Sequence, residues 1–396
     1  MMLTRSQFYE QYQHCFSWYD TDEYACFDVL PVSSENIQAI RQAAEDVWRV
    51  LVAAGEFMKT FDDETLLAYG YPIETLDLIR TSSQPPFIAR CDFAVTKTGI
   101  YLLECNAEVA TFVVETFKMD DLVAQHFGRA GVNTDAESIL RRELNHYIEV
   151  AAHSIGKRPE DCRIVFSALS QAIEDIGTVE YLRSLCDYDA HFCAIEFLSM
   201  DEDGIYDQTD EPVDLIYRIY PTEWMIEDAD PVSGIGLWDY LEPLVFDRKV
   251  ALINPISSFV LQNKALLALI TEAWGNQIDH PLSAIVHRHF LPTAMTPDSI
   301  SVPYVSKPTF GREGQEVEIV KEAGAVLYNA SAEYAVFPKI YQKYVDLPTV
   351  ELEGESATLQ LSCFLMNGVA AGISARVGDA VIGNLSKFLP VCFSHS

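Results

Sequence analysis

The sequence predicts a mixed α/β fold, with antiparallel strands in its first and last thirds and a β-α-β segment between them. Three stretches carry that prediction. Residues 90–110, RCDFAVTKTGIYLLECNAEVA, alternate as two strands around a turn. Residues 162–220 run as apolar strand, helix, strand and strand, the order of a parallel sheet with a crossover helix. The last third holds short apolar runs broken by Pro and Gly, as antiparallel pairing requires.

A chain of 396 residues is too long for one simple core, so two or three closely packed lobes are expected. Hydrophobic residues at 49% and charged residues at 22% fit a soluble globular protein. The 59 acidic against 27 basic residues leave a net charge of −32, which argues against nucleic acid or an anionic membrane as the main partner. The charged start MMLTRSQFYEQYQH has no signal-peptide core. The longest uncharged stretch, 357–375, contains Gln360, Ser362, Asn367-Gly368 and Ser374, and reads as two strands around a turn rather than a membrane span. Nine cysteines without a CxxC are expected to be reduced thiols, which places the protein in the cytoplasm.

In chain order, Ile37, Ile40, Ala44, Val47, Leu51 and Ala54 recur at helical spacing and predict one long amphipathic helix. A second helix is expected near Glu64 to Leu67, ending at Gly70-Tyr71-Pro72, and a short third over 74–80. Two more follow the hairpin, over Val114 to Phe127 and Asp135 to Ala152. Strands are expected at CRIVF from Cys162, at His191 to Leu198 and at Val213 to Tyr220, with a helix from Glu174 to Cys186. A helix from about Leu261 to Trp274 precedes the strands VPYVSKP, EVEIV and FPKIYQKYV and the Asn367-Gly368 hairpin.

The hairpin concentrates the chemistry. A three-residue turn at Lys97-Thr98-Gly99 would put Gly99 where positive φ is wanted, and its register sets Asp92 opposite Glu104 and Arg90 opposite Asn106. Period two then gathers all four side chains on one face, with Cys91 and Cys105 opposed on the other, where buried core thiols are expected and a cross-strand disulfide is the alternative. Carboxylates so placed have Cβ atoms about 5 Å apart. Their repulsion is on the order of 3 kcal/mol at an effective dielectric near 20, against at most about 1 kcal/mol from a good cross-strand pair. Something positive belongs between them. Arg90 supplies part of it; a divalent cation would supply more, and two carboxylates with an amide oxygen suit Mg²⁺. A solvated or arginine-paired polar face is the alternative, and spacing alone does not choose.

Other residues are informative only together. Lys307 ends a strand before the loop Gly311-Arg312-Glu313-Gly314, whose backbone N–H groups could close over phosphates; an ordinary turn is the alternative. Lys264 at a helix start and Arg376 after a strand read singly as surface charges, and Gln342 as a core amide. Glu174 and Asp175 open a helix, where acids suit the dipole. They also lie beyond a strand's carboxyl end, where they could hold an amine. His287-Arg288-His289 has no evident acidic partner and reads as surface. No GxSxG, HExxH or zinc spacing occurs.

Taken together, RCD (90–92), ECNAE (104–108), EDIGTVEYL (174–182), YRIYPTEWM (217–225), LQNKALL (261–267), VSKPTFGREG (305–314), IYQKYVDLP (340–348) and GVAAGISARVG (368–378) resemble the glutathionylspermidine synthase family. The likeness is to its synthetase part and stand-alone bacterial relatives, a branch of the ATP-grasp ligases, in family order across almost the whole chain. It implies an ATP-grasp lobe with an antiparallel central sheet, split as 1–157 and 256–396, around an inserted Rossmann-like pre-ATP-grasp substrate domain at 158–255. It implies a ligase in which ATP phosphorylates a carboxylate and an amine attacks the acyl phosphate, giving an amide and ADP. By the likeness, Asp92, Glu104 and Asn106 bind Mg²⁺, and Arg90 holds the transferring phosphoryl group. Lys264 and Lys307 contact ATP phosphates, Glu313 and Gly314 lie in the flap, and Gln342 is near the adenine. Arg376 steadies the phosphorylated intermediate, while Glu174 and Asp175 meet the amine and a peptide-like acid. The chain departs from the family with Val109 where a small hydroxyl residue is expected, Thr111 standing two later, and with Asp175 where Glu is expected. The amidase domain of bifunctional members is not expected here. A nucleotide- or polyamine-binding relative without turnover is the alternative reading.

Overall fold

The computed structural model describes residues 3–81, 84–277, 279–328, 330, 333–352 and 354–394. Its centre is a six-stranded antiparallel sheet in which strands from both thirds of the chain meet. The hairpin strands Ile88–Val95 and Ile100–Asn106 form one side. The long strands Glu355–Met366 and Val369–Gly378 continue it, with Thr349–Leu352 and Lys387–Phe388 at the margins. Asn367 and Gly368 join the long pair at φ 54° and 81°, the left-handed pair that a two-residue hairpin turn needs and Asn-Gly adopts with least strain.

The first hairpin has the expected pairs Arg90–Asn106, Cys91–Cys105 and Asp92–Glu104, but reaches them by another route. Gly99 is not at positive φ. Thr96 Oγ1 instead accepts the N–H groups of Thr98 and Gly99, each at 3.2 Å, and Thr96 N donates to Gly99 O at 2.9 Å. This turn is one residue shorter than expected. A bulge sets Phe93 opposite Leu102, and Leu103 is the extra residue that restores the register at Asp92.

A four-stranded parallel sheet runs in the order Ala251–Ile253, Leu215–Ile219, Ile164–Ala168, Ala190–Phe192. Helix Ile173–Ser184 makes the crossover. The strand expected over His191 to Leu198 stops at Phe192. Glu196 there accepts from the N–H and hydroxyl of Ser170, both at 3.0 Å, which draws the chain off the sheet into the turn Ile195–Phe197. A five-stranded antiparallel sheet contains Tyr304–Pro308 and Lys339–Lys343 side by side, with Val317–Lys321 on the far side of the former.

Helix Ser34–Met58 packs on the central sheet through Ile37, Ile40, Ala44, Val47, Leu51 and Ala54. Its first turn is capped by Ser33, which accepts from Asn36 N at 3.2 Å. Helix Ala136–Ser154 touches strands of both the central and the parallel sheet. One buried amide stitches those sheets together. Asn254 Oδ1 accepts from Phe87 N at 2.8 Å, and Nδ2 lies within reach of the carbonyls of Ile88, Ala107 and Glu108 at 2.9, 3.1 and 3.1 Å. Among the described residues no helix is long and apolar enough to cross a membrane.

Candidate active site

The pleat of the central sheet puts Arg90, Asp92, Glu104, Asn106, Gln360, Ser362, Ser374 and Arg376 on one face, through the pairs Asp92–Glu104, Asp92–Ser362, Ser362–Ser374 and Gln360–Arg376. Asp92 is the buried centre of this floor. Arg90 grips both its oxygens, Nε to Oδ1 at 2.8 Å and Nη2 to Oδ2 at 3.1 Å, and donates Nη1 to Thr111 O at 3.0 Å. Arg376 Nη2 reaches Asp92 Oδ2 at 3.1 Å, and Asn106 Nδ2 stands 3.4 Å from the same atom. Glu104 faces Lys264, whose Nζ is 3.4 Å away and also donates to Gly311 O at 2.7 Å. Lys307 arrives from the five-stranded sheet, donating to Gln342 Oε1 at 2.9 Å and to Leu103 O at 3.1 Å. That last carbonyl belongs to the bulge residue, so the irregularity that sets the register also docks the lysine.

Side-chain cations therefore answer the Asp92–Glu104 repulsion. Burial opposes the charge on Asp92, but Arg90 and Arg376 outweigh it and hold its carboxyl below the usual range. Burial likewise opposes Glu104, and Lys264, Lys307 and Arg376 outweigh both burial and the repulsion of Asp92. Lys307 goes the other way: burial, reinforced by Lys264, lowers its pKa to about 8 despite the carboxylates. Four cations (Arg90, Arg376, Lys264, Lys307) against two carboxylates leave an excess of two positive charges, in a chain whose net charge is −32.

Gln360 Nε2, Ser374 Oγ, Arg376 Nε and Thr309 Oγ1 are buried without a hydrogen-bond partner among the described residues. Buried donors are normally satisfied, so this group is equipped for a ligand rich in acceptors. Asp92, Glu104 and Asn106 offer two carboxylates and an amide beside it. Among the described residues no three His, Cys, Asp or Glu side chains are grouped to hold a metal ion unaided. A metal here must share its shell with ligand oxygens and water, which is the habit of Mg²⁺.

The structure thus brings together Arg90, Asp92, Glu104, Asn106, Lys264, Lys307, Gln342 and Arg376 from five separate stretches. Lys264 and Arg376 are not the surface charges their local sequence predicts. Lys264 is buried beside the loop 309–316, with its own N–H bonded to Thr309 O at 2.9 Å, and the two arginines converge on Asp92. In that loop Glu313, Gly314 and Glu316 all take positive φ. Arg312 ties the loop down: its Nε donates to Glu223 Oε1 at 2.8 Å, and Nη2 lies 3.4 Å from Glu108 Oε2. Glu108 also accepts from Arg218 Nη2 at 2.8 Å and from Thr222 N at 2.9 Å.

Sequence reasoning gave no role to Glu108, Arg218, Glu223, Gln360 or Ser374. The alternate polar positions in the apolar run 357–375 were the available signal for the last two. His289 is not a surface residue either. It is buried with Nδ1 2.8 Å from Ile100 O and Nε2 3.8 Å from Asp46 Oδ2, the acidic partner that lies too far away in sequence to be seen.

Glu174 and Asp175 open helix Ile173–Ser184, with Glu313 of the loop 309–316 close enough to perturb both. Desolvation by the surrounding protein, with Glu115, Asp175 and Glu313 nearby, raises Glu174 to about 7 although the residue still reaches solvent; desolvation and Glu313 raise the half-buried Asp175 to about 6. Cys91 and Cys105 lie on the opposite face of the hairpin as buried thiols, Sγ to Sγ 3.7 Å.

Comparison with known proteins places this geometry. The chain is 22% identical over 307 residues to glutathionylspermidine synthase of Crithidia fasciculata, covering 70% of this chain and 41% of that protein. It is 22% identical over 350 residues to the bifunctional glutathionylspermidine synthetase/amidase of Escherichia coli K12, covering 81% and 52%. It thus spans about half the length, or less, of these curated relatives. A glutathione synthetase like-effector from Globodera pallida has the same fold, with a TM-score of 0.57 at 11% identity, covering 93% of this chain and 89% of that one. The α/β, ATP-grasp-type architecture expected from the sequence is borne out. The model of the family described as glutathionylspermidine synthase preATP-grasp matches residues 5–394, and the chain belongs to that family.

Proposed function

We propose that the protein is an ATP- and Mg²⁺-dependent ligase that joins the carboxylate of a peptide-like acid to an amine through an acyl phosphate. The observation that carries this reading is the buried excess of positive charge on an otherwise acidic protein, lined with unpartnered donors. Phosphoryl transfer needs charge neutralisation and alignment more than covalent help, and this floor supplies both. The proposed division keeps 1–157 and 256–396 as the nucleotide lobe and 158–255 as the substrate domain.

In the proposed reaction Lys264 and Lys307 hold the polyphosphate, with Gln342 fixing Lys307, and Gly311 to Gly314 lie over it. Asp92, Glu104 and Asn106 would hold Mg²⁺, which neutralises charge on the phosphoryl oxygens. An oxygen of the acid substrate takes the γ-phosphoryl group and ADP departs. Arg90 and Arg376 neutralise the charge on the transferring group and on the acyl phosphate. The amine nitrogen then attacks the acyl carbon, the carbon–oxygen bond to phosphate breaks, and inorganic phosphate leaves. Glu174, held near 7, is matched to take a proton that the attacking ammonium must lose.

The test is an ADP-release screen over amino acids, peptides and polyamines, with product mass spectrometry. ADP should appear only with an acid and an amine together, and an amide of their summed mass less water should form. Phosphate release without any amine would replace ligation with hydrolysis; tight ADP binding with no turnover on any pair would make the chain a binding protein.

A further inference from the structure

Among the described residues seven other than glycine take positive φ, and Phe112 is the only apolar one. Its φ is 75°, in the left-handed region where a bulky side chain is strained. Strain of this kind persists only where the surroundings hold it, and it gathers at working sites. Phe112 is buried and lies just beyond the hairpin strand Ile100–Asn106.

What the strain secures lies on either side of it. Rotation about the N–Cα bond of Phe112 sets the direction of the Thr111 carbonyl relative to the Phe112 ring. The carbonyl accepts from Arg90 Nη1 at 3.0 Å. The ring centre stands 5.9 Å from the guanidinium carbon of Arg376, within cation–π range. Two further rings hold it there nearly at right angles, Tyr24 at 6.3 Å and 83° and Phe388 at 5.6 Å and 80°. The Phe112 carbonyl accepts from Thr116 Oγ1 at 2.8 Å, which ties the turn to the helical turn Glu115–Met119. One strained residue thus reaches both arginines that converge on Asp92. The contact matters more for Arg376. Its Nη2 reaches Asp92, but its Nε is buried and unpartnered among the described residues. The ring is therefore a second support for a guanidinium that keeps a free donor.

We propose that Phe112 is a positioning residue for the phosphoryl floor: its turn aims the Thr111 carbonyl at Arg90 and its ring at Arg376, so that both guanidiniums are set before an anion arrives. The proposal rests on the ligase reading, which gives these arginines the transferring phosphoryl group and the acyl phosphate. Charged groups fixed in advance need no reorganisation when negative charge develops beside them, and electrostatic catalysis depends on that.

Calorimetric titration of inorganic phosphate tests it without any acid or amine. Phe112→Leu keeps apolar bulk in the turn and removes the ring face. It should weaken phosphate about three- to tenfold. Phe112→Gly accepts the backbone without strain and also lacks the ring. It should weaken phosphate at least as much, and it serves if the leucine variant does not fold. Arg376→Gln separates positioning from a general loosening. In that background Phe112→Leu should have no further effect, because both substitutions act through one guanidinium. Wild-type phosphate affinity in both Phe112 variants overturns the proposal. So does a loss from Phe112→Leu that persists at full size beside Arg376→Gln, and so does a wild type that binds no phosphate. The ligase reading fails separately. If no acid–amine pair yields ADP while phosphate binding still depends on Phe112 through Arg376, the positioning stands and the reaction does not.

Discussion

Lys307 and Asp92 share one charged floor but lean in opposite directions, and each leaning is measurable. Lys307 is buried with a pKa lowered to about 8, so near pH 8 a large fraction of the empty protein carries it neutral. A phosphate oxygen brought beside it favours the ammonium form. ADP binding should therefore take up protons between about pH 8 and 9 and weaken as pH rises through that window. Titration in two buffers of different ionisation enthalpy measures the uptake; equal heats would place the phosphates away from Lys307. Asp92 is held ionised by two arginines. Asp92→Asn leaves those guanidiniums buried and under-compensated, at a cost of about 3 kcal/mol in stability. ADP formation should fall by about 10²–10³. Inorganic phosphate should raise the melting temperature of this variant more than that of the wild type, because an anion restores the missing charge. A variant with undiminished turnover would remove Asp92 from the metal and phosphoryl machinery.

Among the elements, close approaches decide how accurately they pack. Gly177 lies inside helix Ile173–Ser184, and a Cβ there would stand 2.1 Å from the Trp18 ring. Alanine normally gains up to about 1 kcal/mol over glycine in a helix, but overpacking of this kind costs about 1–3 kcal/mol. Gly177→Ala should therefore lower the melting temperature, read by thermal unfolding, and an unchanged or higher one would mean that the Trp18 ring yields without strain. Asn254→Ala should cost about 3 kcal/mol or more, read by chemical denaturation, because it strips partners from Phe87 N and from the carbonyls that position Ala107 and Glu108. Local pattern made these elements legible. Period two placed Asp92 opposite Glu104, and helical spacing found Ser34–Met58 and Ala136–Ser154. The hairpin also shows where local pattern ends: the turn is shorter than Gly99 implied, and the Leu103 bulge offsets the difference. The bulge carbonyl accepts a hydrogen bond from Lys307, a partner 204 residues away. Arg376, Gln360 and Ser374 were obscure for the same reason. Their burial is set by strand neighbours, and no window of sequence contains both the side chain and what it faces.

At the scale of the whole molecule the charge distribution opposes itself. The net charge of −32 surrounds a floor with two excess positive charges, so under the proposed function the distant field would repel a nucleotide that the local field would hold. The same distant field would attract a polyamine. Salt separates the two ranges. At about 0.1 M ionic strength the Debye length is about 10 Å. The distant field is then mostly screened, while contacts between buried groups are little affected. Raising salt from low ionic strength should therefore speed the association of ATP, because it removes long-range repulsion, and should slow and weaken the association of spermidine. Stopped-flow measurements over a salt series give both slopes from one preparation. Opposite signs are the expected outcome. Parallel slopes would mean that both ligands enter through the same field.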